Sequence, residues 1–75
     1  MAGSKEKVNV WEHVSGAWVQ AQGEIRRHWN RLTDEDMMEI HGQYENLVSK
    51  IQLRYGISRD EATHQVDKWA EQVKF

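Results

Sequence analysis

Residues 32–42, LTDEDMMEIHG, decide how this chain folds, because they hold both a start and a stop signal for one short helix. Thr33 is suited to cap the N-terminus of that helix, and Asp34 and Asp36 place negative charge where the helix dipole is positive. Gly42 is suited to end it, since glycine readily adopts the left-handed conformation that closes many helices. The stretch predicts a short helix between two longer ones.

The sequence before this stretch predicts a long first helix. Asn9 is its expected N-cap, and Glu12 three residues later completes a capping-box pattern. Apolar residues then recur every three or four positions, which places them on one helical face. This face consists of Trp11, Val14, Trp18, Ala21, Ile25, Trp29 and Leu32.

Two glycines interrupt the first helix, each at a cost of up to about 1 kcal/mol relative to alanine. Gly16 and Gly23 are seven residues apart and therefore lie on nearly the same face. Gly23 is expected to allow another helix to approach closely. For Gly16, close approach and a frayed first turn both remain open.

The sequence after the short helix predicts two further helices. Residues 43–55 form the third, which Gly56 ends, and Ser58 caps the fourth with Glu61 in the capping-box position. The apolar faces of these helices consist of Tyr44, Leu47, Val48, Ile51 and Tyr55 in the third and Ala62, Val66, Trp69, Ala70 and Val73 in the fourth. The fold class is therefore predicted as all-α, a small bundle of four helices in two packed helical hairpins with short turns.

Length and composition limit the kind of protein that this chain can be. Its 75 residues suit one domain, expected over residues 8–75, after a disordered tail at 1–7 that is partly a cloning remnant. Cysteine is absent, which excludes disulfides and thiolate metal sites. No apolar run approaches the roughly 20 residues that span a bilayer, and the N-terminus lacks a signal-peptide pattern. We expect a cytoplasmic protein without membrane insertion.

Several segments match one family pattern in order and spacing. Residues 29–36 read WNRLTDED, residues 40–42 read IHG, residues 51–56 read IQLRYG, and residues 66–69 read VDKW. With these motifs the chain resembles the CsbD-like family of small bacterial general-stress proteins over residues 16–69. Asn30 stands where the family usually has glycine, and asparagine also tolerates a left-handed turn, so the helix is still expected to stop there. Ser49 likewise replaces a family glycine, which suggests looser packing or a more stable third helix.

The resemblance implies a small helical bundle that is induced under general stress, and it implies no defined reaction. It assigns a structural role to the residues of the family motif, and among them Trp18, Trp29 and Trp69 are expected in the core. The motif residues are Trp18, Gly23, Trp29, Leu32, Thr33, Asp34, Asp36, Gly42, Leu47, Ile51, Gln52, Arg54, Tyr55, Gly56 and Trp69.

The chain lacks the residue patterns that catalytic and metal sites need. No two of its four histidines have the i,i+3 or i,i+4 spacing that a helical metal site uses. Residues 34–45 have the length of a calcium loop, but Glu39 occupies the position that needs glycine. No serine lies on a glycine elbow, and no glycine loop could hold a phosphate. We expect no enzyme, no cofactor and no metal site.

Two candidate contact surfaces remain. Trp11 lies before the family-matched region, so the core has little room for it, and an exposed tryptophan would mark a protein contact or self-association. Arg26, Arg27 and Arg31 form a basic group beside Trp29, which suggests weak nucleic-acid binding as the alternative. That alternative is disfavoured, because residues 33–75 hold nine acidic and five basic side chains. The sequence identifies no specific partner.

Overall fold

Five helical segments and no strand occur in residues 11–73, the part of the chain that the structure, a computed structural model, describes. The first is seen over residues 11–16 and is called α1. The others are α2 (Trp18–His28), α3 (Asp34–Ile40), α4 (Tyr44–Tyr55) and α5 (Arg59–Gln72). The predicted all-α class is confirmed. The tail at 1–7 and the cap Asn9 lie outside the described residues.

The predicted first helix is divided, so the four-helix count is wrong. Ala17 leaves helical geometry, with φ −114° and ψ 41°, and its N–H donates to the Val14 carbonyl three residues back. Gly16 directly precedes this break, and its missing Cβ leaves the backbone free to turn there. No atom lies within 4 Å of the place where a Gly16 Cβ would be, so close approach does not explain this glycine.

The signals around α3 work as the sequence predicts. The Thr33 hydroxyl accepts a hydrogen bond from the Asp36 N–H at 3.0 Å, and the Asp36 carboxylate accepts one from the Thr33 N–H at 3.1 Å. This reciprocal pair is a capping box. At the other end His41 and Gly42 both have left-handed backbone, with φ of 50° and 76°. Helix α3 ends at Ile40 and its C-cap is His41, one residue before the predicted Gly42.

The ends of α4 and α5 also follow from local signals. Gly56 closes α4 with φ 63°, the left-handed conformation that favours glycine. The Ser58 hydroxyl starts α5 by accepting a hydrogen bond from the Glu61 N–H at 3.1 Å. Both predicted boundaries are confirmed.

Helix α4 is the centre of the packing, since it contacts α3 on one side and α5 on the other. The predicted hairpin of the last two helices, α4 and α5, is therefore present. The hairpin predicted from the first helix and the short helix is not, because α3 packs on α4 and forms no close pair with α2.

The core draws on every described helix. Its buried apolar residues are Val14, Ala21, Ile25, Trp29, Leu32, Met37, Ile40, Leu47, Val48, Ile51, Ala62, Val66, Trp69 and Ala70. Nearly all of them come from the predicted apolar faces. Burial of such side chains contributes roughly 1.5 to 3 kcal/mol each relative to exposure.

One local prediction is wrong. Gly23 does not support close helix approach, because it is exposed and no atom lies within 4 Å of its missing Cβ. The helix stop near Asn30 is present, but without left-handed backbone at Asn30, since His41 is the one non-glycine residue with positive φ in the described part of the chain. Helix α2 ends at His28, and its C-cap Trp29 donates its N–H to the Ile25 carbonyl at 2.7 Å. Ser49 is exposed on α4, which favours the more stable helix over looser packing.

Candidate functional site

Three partly buried aromatic rings meet where α1 faces the start of α4. Trp11 and Tyr44 pack edge to face with ring centroids 5.5 Å apart, and Trp11 and Trp18 lie 6.4 Å apart at an interplanar angle of 59°. All three rest against the core without being enclosed by it. Edge-to-face pairs of this kind add roughly 0.5 to 1.5 kcal/mol beyond the area that they bury.

Hydrogen bonds hold two of these rings in fixed orientations. The Trp11 indole Nε1–H donates to the Gly42 carbonyl at 2.9 Å, across 31 residues of sequence. The Tyr44 hydroxyl donates to Asp67 Oδ1 at 2.7 Å, which ties the start of α4 to α5. Burial raises the pKa of Tyr44 above its ordinary range, and the Asp67 carboxylate adds to this, so the phenol keeps its proton.

A groove of about 380 Å³ opens beside these rings. Its apolar wall is made by Trp11 and Tyr44, and Gly42 adds no side chain to it. Its remaining lining is polar and comes from Glu12, Ser15, Gln43 and Glu45. We call this feature the aromatic groove. Its volume lies at the lower end of the range for sites that bind small molecules or single side chains.

The predicted division of the tryptophans is partly wrong. Trp29 and Trp69 are core residues, 2% and 7% exposed, as predicted. Trp18 was predicted in the core with them, but it is only partly buried and shares the surface cluster with Trp11. The reason is the break at Ala17, which starts a separate helix at Trp18. Trp11 is partly buried, which agrees with the expectation that the core has little room for it, and its N–H donates to the Gly42 carbonyl.

Trp29 and Trp69 form a second aromatic pair inside the core. Their ring centroids are 5.6 Å apart, and the Trp29 Nε1–H donates to Gln65 Oε1 at 3.0 Å. A shallower groove of about 320 Å³ runs past Trp69 and His28. Its other lining residues are Glu24, Arg27, Gln72 and Val73. The mixed charges along this groove give it no clear preference for one class of partner.

The three arginines of the predicted basic surface have separate partners. Arg26 pairs with Asp34, and Arg27 lies 3.8 Å from Glu24. Arg31 places its guanidinium 5.7 Å from the centre of the Tyr55 ring, and the backbone N–H of Arg31 donates to the Tyr55 hydroxyl at 3.1 Å. Two of the three charges thus already have acidic neighbours.

A buried charge cluster is the feature that sequence reasoning missed. Asp36 is 2% exposed, and both of its oxygens accept hydrogen bonds from Arg54, at 2.8 and 2.9 Å. Lys50 lies 3.5 Å from the same carboxylate and also pairs with Glu39. The Arg54 guanidinium, foremost, holds the pKa of Asp36 well below its usual range. The occurrence of both Asp36 and Arg54 in the family motif was the available signal.

The motif residues around this cluster have structural roles. Thr33 caps α3, and Asp34 holds Arg26. The Tyr55 hydroxyl accepts a hydrogen bond from the backbone N–H of Arg31, just after α2. The Gln52 carbonyl accepts a hydrogen bond from the Gly56 N–H at 2.9 Å where α4 ends. Lys50 and Arg54 are both paired with carboxylates.

No group of three or more His, Asp or Glu side chains in residues 11–73 could hold a metal ion. None of the helices in that part of the chain is both long and apolar enough to cross a membrane.

Comparison with known proteins gives relatives over most of the chain. The chain is 43% identical to the UPF0337 protein YjbJ of Escherichia coli O6:H1 over 58 residues, which are 77% of this chain and 84% of that protein. It is 41% identical to YjbJ of Escherichia coli K12 over the same length. It is 38% identical to the UPF0337 protein RPA4217 of Rhodopseudomonas palustris over 64 residues, 85% of this chain and 97% of that protein.

These names state no activity. No family model matches the chain, and no solved structure matches it. The relatives nevertheless exceed a third in sequence identity and are covered over more than four fifths of their length. The chain therefore belongs to the UPF0337 family, which is the CsbD-like family that its motifs resemble.

Proposed function

We propose that this chain is a non-enzymatic, cytoplasmic stress-response protein that acts by contact with other proteins or with itself through the aromatic groove. The observation that carries the proposal is a pair of partly exposed rings, Trp11 and Tyr44, that are fixed in orientation by hydrogen bonds. Tryptophan and tyrosine are the residues most enriched at the energetic centres of protein interfaces. The CsbD-like resemblance supports the stress association.

The surroundings of the buried carboxylate favour a binding role over a catalytic one. Asp36 is the one charged side chain that is buried in the described part of the chain, and Arg54 and Lys50 surround it. A carboxylate that is bound to two cations has a lowered pKa, whereas a general acid or base needs a pKa near the working pH. The buried charge is therefore suited to holding the fold together.

Nucleic-acid binding has less support than protein contact. Arg26 and Arg27 have acidic neighbours, and Arg31 stacks on Tyr55. Nucleic-acid binders gain most of their affinity from a strongly basic surface, whereas here Asp34 and Glu24 lie among the arginines and residues 33–75 are acidic overall. We therefore do not propose nucleic acid as the partner.

Site-specific photo-crosslinking in stressed cells tests the proposal. Gln43 lines the groove, is exposed and makes no capping hydrogen bond with its side chain, so it can carry benzoylphenylalanine. Val19, 85% exposed and outside the groove, is the matched control position. We expect discrete adducts from position 43 that are absent from position 19 and are lost on Trp11→Leu. An adduct of twice the chain's mass would identify self-association.

Equal labelling at positions 43 and 19, or no adduct at position 43 in stressed and unstressed cells, would contradict the proposal. Normal adducts in the Trp11→Leu variant would also contradict it, because the contact would then not depend on the groove.

A further inference from the structure

The aromatic groove combines two kinds of surface. Trp11 and Tyr44 supply aromatic rings, and Glu12 and Glu45 supply carboxylates to its lining. Aromatic rings attract cations through their negative faces, most strongly when the ring is tryptophan. Carboxylates attract the same cations directly. Both surfaces therefore favour one chemical class of ligand.

The rings are already oriented before any ligand arrives. The Gly42 carbonyl holds the Trp11 indole, and Asp67 holds the Tyr44 hydroxyl. A binding surface whose side chains are already ordered loses less conformational entropy on association. The hydrogen bonds use the polar atoms of both rings, so what remains for a ligand is their apolar and π surface.

Among residues 11–73, the charges around the groove are mainly negative. Glu12, Glu45 and Asp67 face it or support it, and Arg59 is the cation that pairs with Glu45. The positive end of the α4 dipole also lies here and contributes roughly half a charge. Three carboxylates outweigh one guanidinium and this half charge. The pair of Glu45 and Arg59 is exposed, with 66% and 53% of the side chains accessible, so an incoming cation can replace Arg59.

We propose that the aromatic groove binds a lysine or arginine side chain from a basic segment of a partner protein. The alkyl part of that side chain lies along Trp11 and Tyr44, and its charged end meets Glu12 and Glu45. Long basic side chains commonly bury their methylene groups in this way while the charge stays near water. This inference rests on the proposed function and names the class of partner for the same groove.

An NMR titration of the full-length, ¹⁵N-labelled chain tests the inference. The probe is a blocked, tryptophan-free peptide, Gly-Ser-Leu-Lys-Leu-Gly-Ser, and the comparison peptides carry glutamine or glutamate in place of lysine. We expect the indole N–H resonance of Trp11 to shift with the lysine peptide and the resonances of the buried Trp29 and Trp69 to stay. The glutamate peptide should cause no shift, and high salt should weaken the lysine peptide's binding.

Variants of the two carboxylates separate charge recognition from folding. Glu12→Gln combined with Glu45→Gln should weaken the lysine peptide about tenfold, since two charge contacts are lost while the rings remain. Glu35→Gln combined with Glu71→Gln removes the same charge from exposed positions outside the groove and should leave the affinity unchanged. Trp11→Leu should abolish the shift of the backbone resonances around Gly42.

Three results would overturn the inference. Equal binding of the glutamine and lysine peptides would show that charge plays no part. Unchanged affinity in the Glu12 and Glu45 double variant would show that binding occurs elsewhere. A shift of the Trp11 resonance on dilution of the protein alone would show that a second copy fills the groove.

The two proposals fail in different ways. The lysine peptide can fail to bind while crosslinks from position 43 persist and still depend on Trp11. In that case the proposed protein contact is supported and the proposed basic partner is wrong. If the peptide does not bind and the crosslinks are also absent, both proposals fall.

Discussion

At the scale of single residues, Asp36 is the buried charge in the described part of the chain, and it joins two helices. Its carboxylate caps α3 through Thr33 and joins α3 to α4 through Arg54 and Lys50. Burial of the carboxylate raises its pKa, and the hydrogen bonds from Arg54 lower it by more. The ionised form is therefore the one that the folded state favours.

We expect Asp36→Asn to lower the free energy of unfolding by about 2 to 3 kcal/mol at pH 7, because Arg54 and Lys50 lose the charge that they pair with. The pKa of Asp36 is lower in the folded chain than its ordinary value near 4. Its contribution is thus complete above about pH 4 and is lost as the pH falls towards the folded-state pKa. Urea unfolding followed by circular dichroism at pH 7 and pH 3 measures both effects.

Asp34→Asn is the matched control for this prediction. The Asp34 side chain is 82% exposed and pairs only with Arg26 at the surface. Its loss should cost less than about 1 kcal/mol. If the two variants were equally stable at pH 7, or if the gap between Asp36→Asn and the parent chain did not narrow in acid, Asp36 would not have the role described here.

At the scale of the helices, Gly56 and Gly23 differ in backbone conformation. Gly56 has φ 63° at the C-terminus of α4, where an L-residue with a Cβ would be strained. Gly23 lies inside α2 with helical backbone and open space around its missing Cβ. The same substitution should therefore have opposite effects at the two sites.

We expect Gly23→Ala to raise the free energy of unfolding by about 0.5 to 1 kcal/mol, since alanine loses less backbone entropy in a helix. Gly56→Ala should lower it by about 1 to 2 kcal/mol, because the cap then needs left-handed backbone with a Cβ. Thermal and urea unfolding of both variants would check this. A destabilised Gly23→Ala variant would mean that another helix does approach α2 at that point.

The elements show which features a sequence can predict. The ends of α3, α4 and α5 depend on residues within one turn, so Thr33, Gly56 and Ser58 identify them without knowledge of the fold. Trp18 and Gly23 depend on which other helix lies opposite, and periodicity alone does not contain that information.

The candidate site was predictable only in its position. Trp11 was expected at the surface because it precedes the family-matched region. Its bond to Gly42, 31 residues away, and its contact with Tyr44 arise only when the α3–α4 turn packs on α1. The same is true of Asp36 and Arg54, which are 18 residues apart and belong to different helices.

At the scale of the whole molecule, the closest helix contacts join neighbours in sequence. Helix α4 packs on α3 before it and α5 after it, and the connecting turns are short. Chains dominated by such local contacts form them with little loss of loop entropy and fold rapidly. The sequence also contains no proline, so no slow peptide isomerisation accompanies folding.

We therefore expect refolding from urea in a single fast phase, complete within about a few milliseconds at 25 °C. Rapid-mixing or temperature-jump circular dichroism would resolve it. A phase of tens of seconds would contradict the prediction, because proline isomerisation is unable to supply one here. A phase that slows on dilution would point instead to association of chains during folding.

The arrangement of the four indoles has an optical consequence. Trp29 and Trp69 form one pair in the core, and Trp11 and Trp18 form another at the surface, with centroid separations of 5.6 and 6.4 Å. Each pair is close enough for its two chromophores to absorb and emit as a coupled unit. The fluorescence of the first pair therefore reports on the core, and the fluorescence of the second pair reports on the attachment of α1. A quencher dissolved in water reaches the second pair more easily than the first, so added quenching of the surface pair alone would indicate loosening of α1, and quenching of both pairs would indicate global unfolding.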